Sequence, residues 1–312
     1  MDKELFIQAL TNNSYNEIQN IPKSDLHNHA GRGGHISYIE KMLNVKITPL
    51  SEPLDSLEEM DEWISSNIKC YFPDKGGYIP RIAATFAQAK ADNIAVLALS
   101  YGFAEVEWLG GMEVFMAIMN GLHRHFAPET QLLPDITISS PINLHELEAV
   151  LNANWFKGVD MVNYWGQCTM PQMKDMFRMA RSYGLTLKAH IGEFAGTGDI
   201  QEYAEELELD QIQHGIRAAE SPQLMKWLAD HKIQLNVCPT SNIMLKNSES
   251  YRTHQIRTLV DYGVPVTINT DDLLIFNATA SQEYLNLYNA GLMSAEELNV
   301  IRETGLSTIV VQ

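Results

Sequence analysis

The sequence predicts an α/β protein, a (β/α)8 TIM-type barrel with a helical insertion after the first strand. Three observations lead there. Eight short β-rich or apolar runs recur along the chain, and most are followed by a segment whose apolar residues fall at helical spacing. A length of 312 residues suits a single α/β barrel carrying an insertion. The competing doubly wound sheet would carry a Gly-rich phosphate turn after its first strand, and GRGG at 31–34 is a poor match to that turn.

In chain order, SDLHNHA at 24–30 reads as the first strand. The stretch from Ile36 to about Asn93 is too long for one crossover. It holds the acidic run SEPLDSLEEMDEWISS from Ser51 and two further helical patterns, and is expected to lie over the barrel mouth. IAVLALSY at 94–101 is the second strand, followed by a helix over 111–126. DITISS at 135–140 is the third, with a helix over 143–155, and PETQLLPD near 128–135 is expected at the rim or lid. GVDMVNY at 158–164 and a helix over 171–183 come next, then LTLKAHIGE at 185–193 and DQIQHG at 210–215. Helices over 217–231 and 250–262, ending near Asp230 and Gly263, flank the seventh strand, IQLNVCP at 233–239. VPVTINTDD at 264–272 is the eighth. No repeat, low-complexity tract or Pro/Gly/Ser-rich linker divides the chain, so residues 1–312 read as one domain.

Composition narrows the partners. With 22 basic against 39 acidic side chains the net charge is −17, and the average field repels phosphate backbones and anionic lipid surfaces. Nucleic acid and membrane are therefore not expected partners. Cys70, Cys168 and Cys238 form no CxxC and are too few for a disulfide framework, which fits a reducing compartment. The start, MDKELFIQAL, carries acidic residues and no long apolar core, so it reads as neither a signal peptide nor a transmembrane helix, and with the cysteine usage a cytoplasmic location is expected.

Polar residues gather where barrel strands end, the face on which barrel enzymes build their sites. His27 and His29 end the first strand, His190 and Glu193 the fifth, His214 the sixth, and Asp271 with Asp272 the eighth. Residues two apart on a strand share a face, so His27 and His29 can point at one ion. Alone, an HxH pair is more often incidental than metal-binding, HIGE can be a turn with a solvated glutamate, and TDD can cap a helix. Taken together with His190 and Asp271, the pair makes an N/O donor set that suits zinc and leaves room for a water, which the ion would activate near neutral pH. The donors do not exclude iron, manganese or cobalt.

The order and wording of these motifs resemble the adenosine deaminase and AMP deaminase family of the metal-dependent amidohydrolases. PKSDLHNH at 22–29 is similar to its opening signature, HIGE at 190–193 to its HAGE, and IQHG at 212–215 to its histidine-glycine strand end. CPTSN at 238–242 and NTDDLLIF at 269–276 complete the order, so the resemblance runs from about residue 20 into the C-terminal region. It implies one Zn2+ held by His27, His29, His190 and Asp271. It further implies that Glu193 exchanges a proton with a ring nitrogen of a purine-type substrate and that His214 polarises the attacking hydroxide. Asp272 would accept a hydrogen bond from that water or hold the ring from its other side. Loss of ammonia would leave an oxo base.

Two departures bear on specificity. Many nucleoside deaminases of the family carry, two positions after the second histidine, an acid that binds the sugar 5′-hydroxyl; here the residue is Gly31, followed by Arg32, which could hold an anionic 5′ group. Where relatives usually have a glycine whose N–H meets the purine, this chain has Asn163, with Tyr164 and Trp165 beside it. Leu273 replaces the proline usual after the paired aspartates. The leading expectation is deamination of an adenine-type base, nucleoside or nucleotide. The alternatives are hydrolysis of another C–N bond in a non-purine substrate, and a purine-binding protein without activity.

Overall fold

The structure is a computed structural model that describes residues 2–72, 74–194 and 197–308. Eight parallel strands stand side by side in chain order: β1 (Lys23–Asp25), β2 (Ile94–Gly102), β3 (Gln131–Ile138), β4 (Gly158–Met161), β5 (Thr186–Ile191), β6 (Gln211–His214), β7 (Gln234–Val237) and β8 (Val266–Ile268). The ring closes beyond the regular ladders, where Asn28 bridges Asp271, the Asp271 N–H donates to the His27 carbonyl at 2.9 Å and the Leu26 N–H donates to Asn269 Oδ1 at 2.7 Å. The expected barrel is present, with helices around it.

Strand alternation sends Ile212 and Leu235 into the apolar layer under the helices and a second set of residues into the barrel interior. That second set is largely polar. Lys188 donates to Asp135 at 2.6 Å, and the Asn236 amide donates to Gln211 at 2.9 Å and Gln213 at 2.8 Å while accepting from Thr267 at 2.8 Å. Buried polar groups are tolerable because they satisfy one another. This layer forms a stiff floor under the strand ends.

Several boundaries differ from expectation. PETQLLPD does not form rim or lid: Gln131–Asp135 is the first half of β3, paired with β2 from Val96 to Ser100, so it enters the barrel from the end opposite the site. A proline in the run obscured the strand, yet Pro134 keeps its carbonyl bonded, accepting from the Lys157 N–H at 2.7 Å. The helix read over 217–231 is a 3-10 turn, Ile216–Glu220, and a separate helix, Pro222–His231. Ser221 caps the second by accepting from the Leu224 N–H, and Pro222 occupies its first turn. The region 250–262 divides likewise into Tyr251–Thr253 and Ile256–Asp261.

The insertion is shorter than 36–93. The helix Tyr78–Ala91 is the β1-to-β2 crossover and packs on β2 and on the helix Met112–Phe126. The insertion proper holds the helices Ile36–Leu43 and Leu57–Asn67. Its apolar faces, Ile39, Ile64 and Ile68 among them, form a core apart from the main one and pack with Ile275 and Phe276, just after Asp271 and Asp272. Sequence reading passed over the helices Asp2–Thr11 and Tyr15–Gln19, which pack against the C-terminal helices Ala280–Asn289 and Ala295–Ser307. Among the described residues, no helix is long and apolar enough to cross a membrane.

Candidate active site

The strand ends converge as the barrel requires, and most of the singled-out side chains meet in one place. His27 and His29 lie just past β1, and His29 is anchored by a bridge to Ser100 of β2. His27 Nε2 is 3.0 Å from His190 Nε2 and 3.5 Å from Asp271 Oδ1, and His29 Nε2 is 3.2 Å from the same oxygen. His27, His190 and Asp271 are buried, and His29 is partly exposed toward the pocket.

These four donors pass a test of fit for a metal ion. The far nitrogens of two histidines are committed: His27 Nδ1 donates to the Asn236 carbonyl at 3.2 Å and His190 Nδ1 donates to Asp160 Oδ1 at 2.9 Å. Their Nε2 lone pairs therefore face each other across 3.0 Å, a repulsive contact that a cation between them would relieve. Ligands at about 2.0–2.1 Å from a tetrahedral zinc are separated by roughly 3.4 Å. The observed 3.0, 3.2 and 3.5 Å bracket that spacing. The ligands are themselves held: Ser241 Oγ donates to Asp271 Oδ2 at 2.7 Å, and Ser100 Oγ donates to Asp160 Oδ2 at 2.8 Å.

The proposed acid/base groups stand beside the donors. His214 Nε2 is 3.4 Å from Glu193 Oε2 and 3.9 Å from Asp271 Oδ2, with the Asn242 amide on its other nitrogen at 3.2 Å. Tyr164 Oη donates to Glu193 Oε2 at 2.6 Å. Burial, reinforced by the charge on Asp271, pushes the Glu193 carboxyl up to about 8, so it keeps its proton near neutrality. Burial also pulls His214 down to about 3, aided by His190 and His29, which favours the neutral imidazole. His214 (φ 63°) and Asp271 (φ 56°) both sit in the left-handed region, a cost of about 1–3 kcal/mol each that surrounding contacts sustain at functional positions.

Two carboxylate oxygens, Glu193 Oε1 and Asp272 Oδ1, are buried without a hydrogen-bond partner among the described residues. Both residues line a cavity of about 740 Å3 that opens beneath the insertion. Buried oxygens left unpaired at a pocket wall are what a polar ligand would satisfy.

The specificity residues are placed less simply. Arg32 lines the cavity, but its guanidinium is divided between Asp272 Oδ2 at 2.9 Å and Asp61 Oδ1 at 3.0 Å, tying the insertion to the loop after β8. The Asn163 side chain turns away and closes its own loop, donating to the Cys168 carbonyl at 3.0 Å and accepting from the Cys168 N–H at 2.9 Å. Tyr164 and Trp165 line the cavity in its place. Gly31 is backed by Tyr78 and Arg81, which leave no room for a larger residue without movement. Sequence reading missed Asp160, Ser100, Ser241, Tyr78 and Glu105. Alternation along β4 marked Asp160 as inward-facing, but nothing local marked its partner.

The adenosine deaminase family matches residues 158–310. A putative adenosine/adenine deaminase of Treponema pallidum is 28% identical over 292 residues, which cover 90% of this chain and 97% of that protein. Among solved structures, an amidohydrolase from Burkhoderia ambifaria with bound Zn superposes with a TM-score of 0.74 at 17% identity, covering 96% of this chain and 88% of that one. Arabidopsis ADAL complexed with IMP superposes with a TM-score of 0.75 at 16% identity, covering 95% and 94%.

Proposed function

The chain belongs to the adenosine deaminase-like amidohydrolases, and from that premise we propose that it is a zinc-dependent aminohydrolase acting on an adenine-type purine. The observation that carries the reading is the meeting of four metal-type donors with two unpartnered carboxylate oxygens on one cavity wall. The zinc carried by the Burkhoderia protein and the IMP carried by the arabidopsis protein support the ion and the ligand class.

His27, His29, His190 and Asp271 would hold the ion, which when bound activates a water as a Lewis acid. The protein's own groups do the rest. Glu193, protonated, offers Oε1 to the ring nitrogen next to the amino-bearing carbon and makes that carbon more electrophilic by sharing its proton. His214 holds and polarises the attacking oxygen from beside Glu193. Asp272 Oδ1 accepts a hydrogen bond from that water or from the far side of the ring. Water adds across the C=N bond, its oxygen to carbon and a proton to nitrogen. The C–N bond to the amino group then breaks, ammonia leaves with a second proton from the water, and an oxo purine remains.

The test is ammonia release by the zinc-loaded protein from adenine, adenosine and AMP, repeated with Glu193→Gln. Release by the parent and a fall of about 10²–10⁴ in kcat with zinc retained are expected. Turnover by Glu193→Gln within twofold of the parent would remove the proposed acid, and silence with every aminopurine would remove the deaminase reading.

A further inference from the structure

The proposed metal donors come from both sides of the seam where the barrel closes: His27 and His29 follow β1, and Asp271 follows β8. Among the described residues β1 and β8 share no regular ladder, and Asn28 meets Asp271 in an isolated bridge. On its β2 flank the histidine segment is held by backbone, with the Ser100 N–H donating to the Asn28 carbonyl and the Ala30 N–H to the Ser100 carbonyl, both at 2.9 Å. Toward β8 the bond at the donors themselves runs from the Asp271 N–H to the His27 carbonyl at 2.9 Å.

Side chains supply the rest of the seam. Asp25 Oδ1 accepts from the Thr270 N–H at 3.2 Å, while Oδ2 accepts from Thr270 Oγ at 2.6 Å and from the Asn28 amide at 2.9 Å. The same amide donates to Thr270 Oγ at 3.0 Å, which closes a ring of side chains. Asn28 lies between the two histidines and Thr270 directly precedes Asp271, so Asp25 holds a chain neighbour of the donors on each side. All of these residues are buried, and Gly33 leaves the room they need, since a Cβ there would overlap Asn28 Oδ1.

Among the described residues Asp25 has no cation beside it. A buried carboxylate without a counter-charge costs stability; here hydrogen bonds from fixed donors offset that cost and fix what they join. An amide in its place would turn its NH2 toward either the Thr270 N–H or the Asn28 amide, so one tie is lost whichever way it faces.

We propose that Asp25 is a positioning residue for the metal site: by holding Asn28 against Thr270 it sets the spacing of His27 and His29 from Asp271 across the seam, and with it the affinity and geometry of the bound ion. The inference rests on the metal reading above. The distances it governs are the 3.5 and 3.2 Å from His27 Nε2 and His29 Nε2 to Asp271 Oδ1.

The experiment is zinc competition against a chromophoric chelator, with the visible spectrum of the Co2+-loaded protein and melting curves of the metal-free protein, for the full-length parent, Asp25→Asn, Thr270→Val and Thr270→Ser. Asp25→Asn should weaken zinc about tenfold and alter the cobalt bands, and Thr270→Val should weaken zinc by a smaller factor, about threefold. Thr270→Ser keeps the hydroxyl and should stay within twofold of the parent. A merely structural role would lower the metal-free melting temperature and leave zinc affinity and the cobalt bands of the folded protein alone. Thr270→Val removes one hydroxyl from a side chain of the same shape, so it decides the matter should Asp25→Asn fail to fold. The proposal is overturned by folded variants that bind zinc within twofold of the parent with its cobalt spectrum, or by Thr270→Ser weakening zinc as much as Thr270→Val. A parent that binds zinc alongside either result sinks the positioning role alone, whereas a parent that binds neither zinc nor cobalt sinks the metal reading with it.

Discussion

Asp160→Asn tests whether the support beneath the proposed metal donors matters as the geometry says. Asp160 is fully buried; Oδ1 accepts from His190 Nδ1 at 2.9 Å and Oδ2 accepts from Ser100 Oγ at 2.8 Å. Burial works against its charge, but His190, His27 and His29 outweigh it and hold the carboxyl well below the ordinary range. An asparagine can keep Oδ1 toward His190 and donate Nδ2 to Ser100, whose hydroxyl turns to accept. Orientation then survives and only the charge is lost. Removing such a supporting group typically costs 10–100-fold in metal affinity. With geometry kept, the lower end applies, about tenfold or ~1.4 kcal/mol. Asp160→Ala also loses the orientation and should approach a hundredfold. Zinc competition against a chromophoric chelator reads both values, and metal-free melting curves separate affinity from folding. Asp160→Asn and Asp160→Ala both binding zinc within twofold of the parent would refute the idea that Asp160 orients and charges His190 for a cation.

Tyr164→Phe keeps the ring and removes the donor to Glu193 Oε2, which retains His214 at 3.4 Å; a fall of about tenfold in kcat with KM and zinc content nearly unchanged is expected in steady-state kinetics. Equal kcat would show that His214 alone orients Glu193. Glu283 is fully buried under the loop after β7, with the Thr240 N–H donating to its two oxygens at 3.1 and 3.2 Å; burial, with the charges on Asp25 and Asp271, pushes its carboxyl up to about 8. The unfolded group titrates near about 4.3, so between that pH and about 8 the folded state binds more protons and stability falls as pH rises. Glu283→Gln does not titrate, so its melting temperature relative to the parent should climb through that window and level off above it. A difference independent of pH would contradict the assignment.

The residues proposed as metal donors and acid/base groups could be picked out because each follows an apolar strand, and a barrel gathers its strand ends whatever lies between them. Even so, β1 stops at Asp25, and the two histidines owe their aim to bridges made beyond the regular ladder. The β3 entry was obscured by Pro134, and the helix starting at Pro222 was hidden in a longer periodic run, because apolar spacing registers burial more clearly than local breaks.

By itself the sequence determined the alternation of strand and helix, the acidic surface charge and the inventory of groups at the strand ends, all properties of residues close together in the chain. Only the tertiary structure decided that Arg32 spends its charge on Asp272, 240 residues away, and on Asp61. It likewise decided that Asn163 turns from the cavity while Tyr164 reaches Glu193, and that Tyr78 and Glu105 occupy the room left by Gly31 and Gly102. Those contacts depend on where separate loops are carried by the packing beneath them, and hydrogen bonds, which act over about 3 Å, leave no periodic trace along the chain.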